Sequence, residues 1–244
     1  MTRRPLIRII VPAFNERDTI AGVVKRLAAL PVTKQIIVVD DASTDEGLAT
    51  LGRHARKALV VRHATNRGKG AAVRTGLALA KGQWTIVQDA DDETDPMDIV
   101  RLLKLARSRN ALIAFGSRYK DGNLKTWWRS VHRRPGLILT RTATALINGW
   151  TNLLYGTRYT DVPCVYKLIP TDLLKQVKIT SHGFDIEAEL AAKMAPYKER
   201  LVERRITYTP RQYVDGKKIR PWDTVRILWT ITRLRFSRTS TAHA

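Results

Sequence analysis

Apolar positions in the first half of the chain alternate between two periods. Ile7 to Pro12 is an almost unbroken apolar run that predicts a buried strand, and Thr19 to Leu30 predicts a helix with Ile20, Val23, Val24 and Leu27 on one face. Gln35 to Val39 repeats the strand signal and runs into Asp40-Asp-Ala-Ser-Thr-Asp-Glu46, where Ser43 and Glu46 have the spacing of a capping box for a helix reaching about His54. Leu59 to Arg62 reads as a third strand, Asn66-Arg-Gly-Lys-Gly70 as a loop and Ala71 to Ala80 as a helix. Trp84 to Gln88 is a fourth strand that ends in Asp89-Ala-Asp-Asp-Glu93, and Asp95-Pro96 supplies an N-cap and an N1 proline for a helix to Arg107. Leu112 to Ser117 is a fifth strand. Strand and helix alternating at this spacing predict an α/β fold with a doubly wound, mostly parallel sheet.

The second half is less regular. Arg118 to Arg134 reads as a basic loop with two tryptophans, and Leu137 to Leu154 as a helix with Leu139, Ala143, Leu146, Ile147, Trp150, Leu153 and Leu154 on its apolar arc. A strand at Val165 to Leu168, a helix from Phe184 to Met194, a strand from Leu201 to Tyr208 and a basic, aromatic-rich helix from Trp222 to Phe236 follow, with a polar tail after Arg238. Hydrophobic residues make up 44% of the 244, enough for a sizeable core and against wholesale disorder. The one cysteine, Cys164, rules out a disulfide framework or a multi-cysteine metal site and suits a reducing compartment. No secretory signal is expected, because Met1 to Arg8 leads straight into a short strand and then into Asn15, Glu16, Arg17 and Asp18. The longest stretch without a formal charge, Thr142 to Thr157, is too short and too polar to span a bilayer.

The formal charge of +21 is unevenly spread. Residues 101 to 141 carry 11 basic groups and 1 acidic one, and residues 200 to 244 carry 11 and 3, while the rest is nearly neutral. Such segments imply a polyanionic partner, either nucleic acid or an anionic membrane surface.

In a doubly wound sheet, ligands bind beyond the carboxyl ends of the strands. Pro12 to Glu16, Asp40 with Asp41, and Asp89 to Glu93 all fall there. If the last of these is extended, Asp89, Asp91 and Glu93 project to one side. Three like charges so close repel unless a cation neutralises them, and an all-oxygen set suits Mg²⁺ or Mn²⁺. The plain alternative is a solvated acidic turn capping the next helix. Gly68-Lys69-Gly70 lacks the remainder of a phosphate-binding loop, so by itself it reads as a glycine turn into a helix. No zinc spacing and no G-x-S-x-G is present, which leaves hydrolase and zinc chemistry without support.

Taken in order, Ile10-Val-Pro-Ala-Phe-Asn-Glu16, Val38-Val-Asp-Asp-Ala-Ser-Thr-Asp45, Asn66-Arg-Gly-Lys-Gly-Ala71, Asp89-Ala-Asp91, Gly116-Ser-Arg-Tyr119, Leu154-Tyr-Gly156, Thr160-Asp161, Tyr166-Lys167 and Gly183-Phe-Asp-Ile-Glu187 make the chain resemble a family-2 glycosyltransferase of the GT-A fold. The resemblance covers about residues 7 to 220 and is nearest to the dolichol- and polyprenyl-phosphate sugar synthases, those for mannose or glucose among them. It implies that Pro12, Phe14, Glu16, Asp40, Lys69 and Asp89 bind a nucleotide sugar and that Asp89, Asp91 and Glu93 hold Mg²⁺ or Mn²⁺, although Glu93 stands where the synthases often have Gln. It puts Arg118, Arg133, Arg134, Lys167 and Arg211 at the acceptor phosphate, with Asp89, Asp91 and Arg118 as the catalytic set. Ala42 replaces a glycine common in the family.

The implied reaction is inverting transfer of a sugar from GDP-mannose or a UDP-sugar to a polyprenyl or dolichyl phosphate. Residues 1–221 would form the transferase domain, with a donor half at about 1–117 and an acceptor half at about 118–221, and 222–244 would contact the membrane. The protein is expected at the cytoplasmic face, peripherally attached, with no nucleic acid partner; base, sugar and oligomeric state stay open. Trp127, Trp128, Trp222 and Trp229 lie in or beside the basic segments, as tryptophan at a membrane interface does, although Trp150 and Trp229 equally suit core packing. The apolar residues of the last helix do not form one clean arc, which argues against deep insertion. The alternative is a transferase with a saccharide or other hydroxyl acceptor, for which Asp161 is the first candidate base.

Overall fold

The computed structural model describes residues 6–120, 137–210 and 221–237. β1 (Ile7–Ala13), β2 (Lys34–Asp40), β3 (Leu59–Arg62) and β4 (Trp84–Val87) alternate with α1 (Ile20–Ala29), a short α2 (Gly47–Thr50), α3 (Lys69–Ala78) and α4 (Met97–Ser108), as the two periods predict. β5 (Ile113–Ser117), α5 (Leu137–Tyr155), β6 (Lys167–Pro170), α6 (Thr171–Gln176), α7 (Ile186–Met194), β7 (Leu201–Arg205) and α8 (Pro221–Phe236) complete the chain.

The strands form one seven-stranded sheet in the order β3-β2-β1-β4-β6-β5-β7. β1 pairs in parallel with β2 and β4, β2 with β3, and β5 with β7. The inner strands are mostly apolar because both faces are covered, with Arg8 and Thr85 as buried polar exceptions. Ile36 and Val38 of β2 join the main core with Ile9, Val11, Val23 and Leu27, while Ile37 and Val39 pack on Ala72 of α3.

β6 departs from the parallel rule and runs antiparallel to both β4 and β5. The cause lies in α5, whose Thr140, Ala143, Thr144 and Ile147 line a cleft at the carboxyl edge. The chain thus re-enters the sheet from the edge it left, and an antiparallel pairing needs no crossover.

Three local expectations are corrected. Ser43 and Glu46 form no capping box: Glu46 is left-handed (φ 56°) and gives no side-chain cap, while Ser43 turns back to Asp40. Asp89 to Glu93 is not extended, because Asp92 is left-handed (φ 63°) and the Glu93 N–H donates to Asp91 Oδ1 at 3.1 Å, which closes a tight turn. Trp229 is no core residue but 66% exposed, since α8 has two apolar arcs and the core takes the one with Ile227 and Ile231. Asp95 does cap α4, accepting from the Met97 N–H at 3.0 Å.

Candidate active site

The ends of β1, β2 and β4 open onto a cleft of about 580 Å³ whose wall includes Pro12, Phe14, Glu16, Asp41, Lys69, Asp89, Asp91, Glu93 and Arg118.

The two aspartates at the end of β2 have separate tasks. Asp40 is buried, with Oδ1 accepting from Ser43 N at 3.1 Å and from Ser43 Oγ and with Oδ2 3.2 Å from Arg62 Nε, so it braces the turn and is not on the cleft wall. Asp41 accepts from Arg67 N at 2.9 Å and Gly68 N at 2.7 Å. His63 Nδ1 lies 2.6 Å from its carboxylate and Nε2 lies 2.9 Å from Thr75 Oγ1. Asp41 therefore sets the loop from which α3 starts.

The glycines of that loop have a steric reason. Gly68 is at φ +86°, and a Cβ on Gly68 or Gly70 would overlap the carbonyls of His182 and Ser181 respectively. That close approach is tied by Gly70 N to His182 O at 2.8 Å and by Arg74 Nη1 to Ser181 O at 2.5 Å. The contact brings Lys69, at the head of α3, against the segment that leads to α7. Its Nζ stands 2.7 Å from Asp89 Oδ1 and 2.5 Å from Glu187 Oε1, and 5.7 Å from the centroid of Phe184. Burial opposes the charge, but Asp89 and Glu187 outweigh it and raise the ammonium above its ordinary range.

The acidic loop rests on a buried polar support. Gln88 Nε2 donates to Asp89 O at 2.9 Å and Thr94 Oγ1 at 3.0 Å, and the buried Tyr166 hydroxyl donates to Gln88 Oε1. Burial, then Asp89 and Glu93, push the Asp91 carboxyl up to about 7. Glu93 accepts from the Tyr208 hydroxyl at 2.8 Å. Among the described residues, no three His, Cys, Asp or Glu side chains converge as a ready-made metal cage. The donor chemistry nevertheless fits a hard divalent cation, because an ion beside Asp91 would offset both the burial and the Asp89 and Glu93 repulsion that raise its carboxyl.

Across the cleft, Arg118 is gripped by Asp161. The carboxylate accepts from Arg118 N and Nε at 2.8 Å and from Nη2 at 2.7 Å. Burial works against this charge as well, and Asp161 more than offsets it, keeping the guanidinium well above its ordinary value. The guanidinium carbon lies 5.3 Å from the ring centroid of Tyr119 and 5.1 Å from that of Tyr208. Tyr208 thus touches both the arginine and Glu93 of the acidic loop.

Lys167, expected at the acceptor phosphate, is turned inward. Its buried Nζ donates to Val162 O at 2.9 Å and to Cys164 O, and burial lowers its pKa. It secures the turn before β6, away from the cleft wall. Arg133, Arg134 and Arg211, with Trp127 and Trp128, lie outside the described residues. Glu187 and Tyr208 had no assigned role, and Asp161 figured only as an alternative base. The sequence signal for Glu187 is its place at the end of the Gly183-Phe-Asp-Ile-Glu187 stretch, which gives it no partner.

A mostly parallel sheet with an acidic loop, a lysine and a buried arginine around a cleft at its carboxyl edge is the architecture of a GT-A glycosyltransferase. The chain belongs to Glycosyl transferase family 2, whose family model matches residues 8–166. It is 30% identical to the polyprenol monophosphomannose synthase of Mycolicibacterium smegmatis over 86% of this chain and 81% of that one. It is 26% identical to the dodecaprenyl-phosphate galacturonate synthase of Rhizobium johnstonii over 85% of this chain, which spans 60% of that relative. The glucosyl-3-phosphoglycerate synthase of Mycobacterium tuberculosis, crystallised with Mn²⁺, UDP and phosphoglyceric acid, superposes with a TM-score of 0.69 at 16% identity, over 95% of this chain and 79% of that one.

Proposed function

We propose that the chain is an inverting transferase that moves a sugar from GDP-mannose or a UDP-sugar to a polyprenyl phosphate at a membrane surface. The observation that carries this reading is the Arg118–Asp161 pair. It gives the cleft wall a fixed cation, joined through Tyr208 to the acidic loop, as a phosphate-bearing acceptor requires. The names of the synthases in M. smegmatis and R. johnstonii support the same acceptor class.

Pro12, Phe14 and Glu16 on the end of β1 would hold the nucleoside, with Lys69 and Asp89 toward the diphosphate. Asp89, Asp91 and Glu93 would hold Mg²⁺ or Mn²⁺, which supplies neutralising charge to a diphosphate leaving group. A phosphate monoester with a second pKa of about 6 is largely dianionic at neutral pH and needs no general base. Arg118 orients it and offsets its repulsion from the donor. One acceptor oxygen bonds to the anomeric carbon as the bond to the diphosphate oxygen breaks, and the nucleoside diphosphate departs with the electron pair. A hydroxyl acceptor would instead need a base, and both oxygens of Asp161 are already held by Arg118.

The test is transfer from a panel of labelled GDP- and UDP-sugars, preselected by thermal shift with Mn²⁺, to undecaprenyl phosphate or to neutral saccharide acceptors. Lipid-phosphate product is expected. Transfer to the neutral acceptors alone would replace this reading with the hydroxyl-acceptor one.

A further inference from the structure

The Lys69 ammonium is shared by two carboxylates from different parts of the fold. Asp89 Oδ1, 2.7 Å from Nζ, belongs to the acidic loop after β4, and Glu187 Oε1, 2.5 Å from Nζ, stands in the first turn of α7. Asp89 is the more accessible of the two, with its side chain 27% exposed against 8% for Glu187. The acid that the cleft reaches more easily is thus the one that already carries an ammonium. Lys69 is also felt at Asp91, where it opposes the upward push of burial, Asp89 and Glu93 on the carboxyl.

A divalent ion at Asp89 and Asp91 meets that ammonium as a like charge. A lysine head sits on a flexible four-carbon stem and has three donors, so Nζ can give up one acceptor while keeping another. Its remaining partners are in place: Nζ already touches Glu187 and lies 5.7 Å from the centroid of the Phe184 ring. Glu187 suits this task, because an anion in the first turn of a helix is favoured by the helix dipole. The root of the lysine is fixed as well, since the start of α3 is held against the 181–183 segment by the Gly70 N–H donating to His182 O. Letting go of Asp89 therefore needs no movement of α3 or α7.

We propose that Lys69 and a divalent ion compete for Asp89, and that Glu187 is a positioning residue that decides the competition by holding the ammonium when Asp89 is given up. Glu187 then acts on the metal through Lys69 and not as a ligand. The inference rests on the proposed metal at Asp89 and Asp91 and is independent of the acceptor.

The competition is read without turnover. Mn²⁺ alone is titrated into the full chain and followed by the electron paramagnetic resonance signal of the unbound ion. Wild type is compared with Lys69→Met, Glu187→Gln, the paired Lys69→Met/Glu187→Gln chain and Asp91→Asn. Lys69→Met removes the competing charge and should bind Mn²⁺ about tenfold or more tighter. Glu187→Gln leaves the ammonium to Asp89 and should bind it about tenfold more weakly. Opposite signs from two neutralising changes at one ion pair are not expected of a bridge that merely supports the fold. In the paired chain most of the Glu187 effect should vanish, which separates action through the lysine from direct ligation. At equal concentration, Mn²⁺ should also raise the melting temperature of Lys69→Met more than that of wild type. If stranding Glu187 unfolds Lys69→Met, the paired chain must still bind Mn²⁺ tighter than Glu187→Gln does. Equal or weaker binding on removal of the lysine overturns the proposal, as does a Glu187→Gln loss that persists undiminished in the paired chain. Mn²⁺ binding that Asp91→Asn leaves unchanged refutes the metal reading itself and the competition with it. A loss in Asp91→Asn without a gain in Lys69→Met keeps the metal and refutes the competition alone.

Discussion

Replacing Asp161 with Asn tests the arginine grip directly. The carboxylate is buried and receives three N–H bonds from Arg118, one from its backbone and two from the guanidinium. The amide keeps one acceptor oxygen and turns an NH₂ toward an N–H donor, leaving the guanidinium without a counter-charge in a desolvated site. Removing one partner of a buried pair costs about 3–5 kcal/mol. For a domain of this size that is a fall in melting temperature of roughly 6–20 °C. The change should also free the plane that Asp161 imposes on the fork and raise the acceptor KM more than the donor KM. Arg118→Met should lose similar stability by stranding Asp161. The paired Arg118→Met/Asp161→Leu chain should recover most of it, since an apolar pair replaces a buried ion pair at little net cost, yet stay inactive. Urea and thermal unfolding of wild type, Arg118→Met, Asp161→Leu and the paired chain give the coupling energy, and labelled-sugar transfer gives the kinetics. A coupling near zero, with Asp161→Asn melting within about 2 °C of wild type, would refute the claim that this pair organises the acceptor side.

Three further outcomes are expected. Asp91→Asn should abolish transfer. Because the folded carboxyl is raised to about 7 from 3.8, its stability contribution is present below 3.8 and lost as pH rises through about 7; in chelator above that pH the Asn chain should therefore be more stable than wild type, by about 1–3 kcal/mol in urea. Gly70→Ala forces a methyl group into the Ser181 carbonyl and should cost about 2 kcal/mol or more in the same assay, with a matching loss of donor affinity as Lys69 shifts. Ala42 sits at φ +63°, so Ala42→Gly relieves about 1–2 kcal/mol of backbone strain against about 0.4–1 of added chain entropy, and should raise the melting temperature slightly.

What was legible in the sequence divides by range of interaction. β1, β2 and β4 were readable because covering a strand on both faces demands unbroken apolar residues, and the acidic loop because strand ends in such a sheet are where ligands bind. Asp40 and Asp41 show the limit. They are adjacent and chemically identical, and only the left-handed turn at Ala42, with the loop at Arg67 and Gly68, decides which one faces the cleft. Lys167 shows it again, since a lysine among matched motifs reads as a phosphate ligand until the fold surrounds it with the carbonyls of Val162 and Cys164. Glu187 could not be joined to Lys69 from any local pattern, because the contact depends on α3 meeting the 181–183 segment. On α8 the summed periodicity blurred two apolar arcs that burial separates.

Two cations on the cleft wall, Lys69 and Arg118, are set by carboxylates from the later part of the chain. Lys69 at the start of α3 is answered by Glu187, and Arg118 after β5 by Asp161. For the proposed pair of anionic substrates the cleft needs positive charge, but a loose, fully solvated lysine or arginine would have to give up side-chain freedom and hydration each time a substrate bound. Here both heads are buried in fixed positions before any substrate arrives, and each carboxylate keeps its cation charged despite that burial. Asp161 engages Nε and Nη2 of Arg118 and so fixes the plane of the fork. Tyr208, bonded to Glu93 while its ring lies beside Arg118, joins this cation to the acidic loop. Lys69, the acidic loop and Arg118 are therefore one electrostatic unit, and a change to either Glu187 or Asp161 should be felt at both cations.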